Sequence, residues 1–130
     1  MTYRVYDTEK KKWVQDNIYL TPNGELFLIK KSMFGTVKVP LALSQERYVC
    51  HQDINLYDKD ETLVYEGDYI RANVTEDKVV VGLVAYAHEL SAYVILCVDS
   101  DEFYTLGSSV STEITVIGNV FDGYETRGNK

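Results

Sequence analysis

The sequence predicts an all-β protein, and two observations carry that prediction. The apolar pattern changes every few residues, and turn-forming residues interrupt it at short, regular intervals, as many short strands require and long helices do not. The chain has 130 residues, a length at which folding removes roughly two-thirds of the surface of the unfolded chain. Its 45% hydrophobic and 25% charged residues are ordinary globular usage, so a packed core is expected.

The elements follow in order. Tyr3 and Val5 on one side, Trp13 and Val14 on the other, flank the polar run Asp7-Thr8-Glu9-Lys10, which predicts a first hairpin. Ile18 and Leu20 lead into Thr21-Pro22-Asn23-Gly24, where proline presets φ and Asn-Gly tolerates positive φ. The run Glu25 to Lys30 then returns as a second hairpin. Met33, Phe34, Val37 and Val39 continue around Gly35, and Pro40 limits what pairs there. Ser44-Gln45-Glu46-Arg47 has the hydroxyl of a helix N-cap, but β-branched and aromatic residues soon take over, so one short helical turn is expected. The segment Asp53 to Tyr65 reads as strand, charged turn and strand. Strands are then expected at Tyr69 to Val74, Val79 to Ala87, Ala92 to Val98, Phe103 to Leu106 and Ile114 to Val120, with Gly67, Gly82 and Gly118 where strands turn or bend.

Five strands over that last stretch suit a small, strongly bent SH3-like barrel, because near closure protects sheet edges. The expected organisation is an N-terminal β-rich subdomain over residues 1–53 packed on a C-terminal small barrel over 54–124, followed by a disordered tail at 125–130.

Charge is unevenly spread. Residues 1–47 hold eight Lys or Arg against five Asp or Glu, a net of +3, whereas residues 48–130 hold five against fifteen, a net of −10. Between Val79 and Thr126 there is no Lys or Arg, while Glu89, Asp99, Asp101, Glu102, Glu113, Asp122 and Glu125 all fall there. Such a surface repels phosphate backbones, which argues against direct nucleic-acid binding. Met1 to Asp7 lack the basic and apolar regions of a secretory signal, and the most apolar stretch, Val79 to Val98, is broken by Gly82, His88, Glu89 and Ser91. A cytoplasmic protein without a membrane segment is expected. Cys50 and Cys97 then read as reduced core thiols.

No residue pattern predicts catalysis, a cofactor or a metal site. His51 and His88 stand far apart, without the spacing of a zinc site. Cys50 and His51, as strand neighbours, point to opposite faces. Asp99, Asp101 and Glu102 place three carboxylates in four residues, which suits a hard cation, but the Gly and Glu of an EF-hand loop are missing, and a solvated hairpin turn accounts for them. Glu66, Asp68, Glu89 and Glu113 offer acids for glycoside chemistry without any indication of their separation. Glu66 and Asp68 flank Gly67, where they serve the turn. No Gly-x-Ser-x-Gly, P-loop or dinucleotide fingerprint is present. Most of the eleven tyrosines fall at strand positions, which fits amphipathic core, edge and contact roles.

Three stretches carry a family resemblance: Tyr3-Arg4-Val5-Tyr6-Asp7 with Trp13, Tyr65-Glu66-Gly67-Asp68-Tyr69-Ile70, and Val116-Ile117-Gly118-Asn119-Val120-Phe121. In this order they resemble the YopX family of phage, prophage and mobile-element proteins. Family members often continue with Asn-Pro after the last stretch, where Phe121-Asp122-Gly123-Tyr124 stands here, so the terminal turn departs from the pattern. The resemblance implies a β-rich protein of a mobile element in a bacterial cytoplasm, and it brings no catalytic residues with it.

Three functions are compatible with these observations. The first is an accessory protein that self-associates into a homo-oligomer or binds a host protein, as suits an acidic, Tyr-rich chain. The second is an acidic decoy for a host nucleic-acid-binding enzyme. The third is a small-ligand binder or enzyme using a pocket between the subdomains.

Overall fold

Turn chemistry sets most strand boundaries, and apolar alternation decides which face of each strand is buried. The structure, a computed structural model, describes residues 2–15, 17–22, 25–40, 47–106 and 113–124. These residues form antiparallel strands and a single 3-10 turn, His88–Leu90, with no α-helix among them. The chain divides into two units, Thr2–Gln52 and Asp53 onward. The division coincides with the charge division, because residues 48–52 carry no Asp, Glu, Lys or Arg.

In the first unit, β1 (Tyr3–Asp7) turns back through Thr8 to Lys11 into β2 (Lys12–Trp13). A second sheet runs β3 (Asn17–Leu20), β4 (Leu26–Ser32) and β5 (Gly35–Pro40), each antiparallel to the next. Pro40 closes β5 opposite Phe27, at a strand end where its missing N–H costs least. The other side of β1 pairs with β6 (Tyr48–Tyr57), in the register Val5 to Cys50 and Asp7 to Tyr48. Val5 and Leu28 are the buried centre of this unit, with Val14, Ile18, Tyr48 and Cys50 packed around them. The helical turn expected at Ser44 to Arg47 falls mostly outside the described residues, as do Asn23-Gly24, Ser108, Ser109 and the tail at 125–130.

β6 changes partner where the units divide. Its first half pairs with β1, and from Asp53 it pairs with β7 (Leu63–Tyr65). Asn55 adopts positive φ at the register shift between Asp53 and Tyr57. Asparagine tolerates that conformation, and the Asp53 carboxylate accepts the Asn55 N–H at 3.1 Å. Four more long strands complete the second unit: β8 (Asp68–Asn73), β9 (Val79–Ala87), β10 (Ala92–Cys97) and, after the short β11 (Phe103–Thr105), β12 (Ile114–Asn119). The last element is β13 (Gly123–Tyr124), a strand with no clear signal in the sequence. The sheet order is β11-β10-β9-β8-β12-β13. No described pairing joins β11 to β13, so the SH3-like closure stays an expectation of the sequence.

Alternation along these strands places Ile70, Ala72, Val84, Ile95 and Ile114 on one face, where with Val64 they form the buried core of this unit. Asp58 ties the β6–β7 turn to β12. Its Oδ1 accepts the N–H groups of Asp60 and Thr62 at 2.9 and 2.8 Å, and its Oδ2 accepts that of Val116 at 2.9 Å.

Candidate functional site

Two of the quoted sequence stretches turn out to build backbone geometry. Gly67 takes φ +88°, donates its N–H to Val84 and accepts the N–H of Val120. Buried Asp68 accepts the N–H of Tyr65 at 2.8 Å, which closes the turn. At the β12 bulge, a Cβ on Gly118 would collide with the Gly123 carbonyl and meet Tyr124 Cα at 2.7 Å, so only glycine lets β13 lie there. Asn119 Oδ1 then accepts the N–H groups of Phe121 and Asp122, both at 3.0 Å, and this is the terminal turn where the chain departs from the family pattern.

The first stretch builds a site. Asp7, at the end of β1, accepts Arg47 Nε at 3.0 Å on one oxygen and Arg47 Nη2 at 2.9 Å on the other. The first oxygen also accepts the N–H groups of Glu9 and Lys10, and the Arg47 carbonyl accepts from Thr8 through both its N–H and its hydroxyl. The Arg47 guanidinium holds the Asp7 carboxyl well below the usual carboxylate range, and Asp7 in turn pushes Arg47 up. Beside this pair lies a cavity of about 520 Å³ lined by Lys10, Lys12, Trp13, Gln15 and Tyr48. Both acids of its lining, Asp7 and Glu9, lie against Arg47, at 2.9 and 3.4 Å, and Lys10 and Lys12 add positive charge, so the arrangement suits holding an acidic group more than transferring a proton.

Register places Arg4, Tyr6, Trp13 and His51 together on the face of β1, β2 and β6 opposite Val5 and Cys50. The Arg4 guanidinium lies 4.6 Å from the centre of the Trp13 ring, and Tyr6 meets Trp13 edge-on. Arg4 Nε donates to His51 Nδ1 at 3.4 Å, so that nitrogen is unprotonated. Burial and then the Arg4 charge push His51 down to about 4. The separation of Cys50 from His51 onto opposite faces is as expected.

The acidic run sits on the β10–β11 turn, also as expected. Glu102 accepts from Lys78 Nζ at 3.3 Å and from the Tyr104 hydroxyl at 2.9 Å, while Asp99 and Asp101 are exposed. Burial pushes the Cys97 thiol up, and both cysteines are free. His88 stands in the 3-10 turn edge-on to Tyr86. Glu66 lies in the turn before β8, which Asp68 opens, while Glu89 is in the 3-10 turn and Glu113 just precedes β12. Among the described residues, no three His, Cys, Asp or Glu gather where they would hold a metal ion. No helix there is long and apolar enough to cross a membrane. The Asp7–Arg47 pair escaped the sequence reading, because its members stand 40 positions apart and Asp7 alone reads as a turn residue.

With this geometry in place, the family comparison decides the relationship. The family model described as YopX protein matches residues 2–125. The chain belongs to the YopX family. The crystal structure of the YopX protein from Bacillus subtilis is similar at a TM-score of 0.60 and 16% identity, covering 92% of this chain and 91% of that one. Protein EF1440 from Enterococcus faecalis is similar at a TM-score of 0.50 and 17% identity, covering 92% of each chain. At these identities the likeness establishes the shared YopX fold alone. No curated protein matches the sequence.

Proposed function

We propose that this YopX-family chain is a self-assembling protein-interaction module, an accessory factor of a mobile element that works in the cytoplasm of a bacterial host without catalysing a reaction. One observation carries the reading: the charge division of +3 against −10 falls on the division between the two units, so each copy presents one basic and one acidic body. Opposed charge steers encounter and sets register between copies, while buried Tyr and aliphatic side chains supply most of the affinity. The polar clusters support the same reading, since Asp7 with Arg47 and Glu102 with Lys78 satisfy each other.

Light scattering at low and at high salt, well above micromolar concentration, tests the proposal. The expected result is a multiple of the chain mass that falls as salt screens the opposed charges. A monomer at both salt concentrations overturns it and leaves the charge division to a host partner.

A further inference from the structure

Two surfaces with matching chemistry and opposite charge stand out on this molecule. At the tip of the β4–β5 hairpin, closed by the pairing of Ser32 with Gly35, Met33 is 90% and Phe34 93% exposed. Isolated exposed apolar residues are common, but two large ones side by side on a turn form a ready contact. The hairpin from Leu26 to Pro40 carries Lys30, Lys31 and Lys38 and no acid.

The second surface lies at one end of the β9, β10 and β11 face turned away from the Ile95 core. Leu96 pairs with Leu83 on one side and Phe103 on the other, and Val98 follows two residues on. The Val98 N–H donates to the Val81 carbonyl, which brings that side of β9 alongside. Leu96 is 43%, Val98 45%, Phe103 53% and Val79 55% exposed. Immediately beyond the patch, the β10–β11 turn presents exposed Asp99 and Asp101.

We infer that the Met33–Phe34 tip of one copy docks on the Leu96, Val98 and Phe103 patch of a second copy, which sets the net positive hairpin against the acidic turn of Asp99 and Asp101. The inference rests on the self-assembly reading and supplies its interface. On the patch side Lys78 is taken up by Glu102 at 3.3 Å, so Asp99 and Asp101 set the sign of that surface, opposite to that of the hairpin, and tip meets patch while tip repels tip. The two surfaces differ, so the contact is head-to-tail and closes into a ring or extends without limit.

Sedimentation velocity on three proteins tests the inference: the natural chain, Met33→Ser/Phe34→Ser, and Phe103→Ser. Circular dichroism and a thermal melt check that each is folded. Should Phe103→Ser unfold, Asp101→Lys on the exposed turn serves as the patch variant. The natural chain is expected to assemble and each variant to sediment as a monomer. An equal mixture of the two variants is expected to form a species of two chains, because one copy keeps an intact patch and the other an intact tip. Assembly of both variants at the natural mass overturns this interface while the self-assembly reading stands. Monomeric variants that stay monomeric on mixing also overturn it. A monomeric natural chain overturns both.

Discussion

The two units hold their sheets together by different means. The acidic unit closes around a continuous cluster in which Val64, Ile70, Ala72 and Ile95 have no contact with water. Among the described residues, the buried cluster of the basic unit is just Val5 and Leu28, and the unit adds polar devices: Arg47 gripping Asp7, and Arg4 spanning Trp13 and His51. Where apolar area is scarce, oriented hydrogen bonds and cation–ring contacts set register. Such contacts contribute less per residue, and unlike apolar burial they respond to pH and salt.

The largest test of this contrast is truncation of matched core positions. Ile70→Ala in the acidic unit is expected to cost about 4 kcal/mol, because the close-packed sheet cannot collapse into the gap, and Leu28→Ala, which removes a side chain of the same size from the basic unit, about 2 kcal/mol. Urea unfolding read by circular dichroism measures both, and equal losses would erase the distinction. A smaller effect sharpens it from the other side, since the acidic unit also holds a polar clamp at Asp58. Asp58→Ala removes the acceptor of three backbone N–H groups and is expected to cost about 3 kcal/mol, with faster amide exchange at Thr62 and Val116.

The last effect is a pH dependence that His51 brings to the basic unit. His51 is held near 4 against an ordinary 6.5, so the fold accommodates the neutral ring. Its contribution is complete above pH 6.5, declines as pH falls toward 4 while the unfolded chain binds the proton first, and changes no further below that. Trp13 is the only tryptophan and lies beside His51, so its fluorescence follows this unit specifically. His51→Gln is expected to flatten the decline between pH 6.5 and 4. An undiminished slope in that variant would assign the dependence elsewhere.

These devices also mark how far the sequence was legible. Hairpins closed by Asp7 to Lys10, by Asp58 to Glu61 and by Asp99 to Glu102 were readable because turn chemistry is local, and β9 matches its expected bounds of Val79 to Ala87. The stretches that resemble the YopX family were readable as a set, although what Gly67, Asp68 and Gly118 do there emerges only from the backbone around them. β13 was not readable, since two residues gain strand geometry only from β12 beside them. Nor was β6 readable as one ten-residue strand, because its halves answer to different partners. The Asp58 clamp depends on Val116, 58 positions away, and the Asp7 site on Arg47, so neither leaves a local mark. The exposed tip at Met33 and Phe34 is the converse case, since apolar residues beside Gly35 read as strand and only the structure places them at the turn.

The pairing of β1 with β6 has a consequence in time. Arg4 and His51, which face each other across that ladder, are 47 positions apart. At a ribosome's pace of roughly 5–20 residues per second, the N-terminal strand waits on the order of seconds for its inner neighbour. Throughout that interval one row of its amide and carbonyl groups has only β2 on the far side and solvent on the near side. The nascent chain therefore passes through a stage in which Tyr3 to Asp7 offers an unprotected edge to other nascent chains, and synthesis slowed between Trp13 and Tyr48 would prolong it.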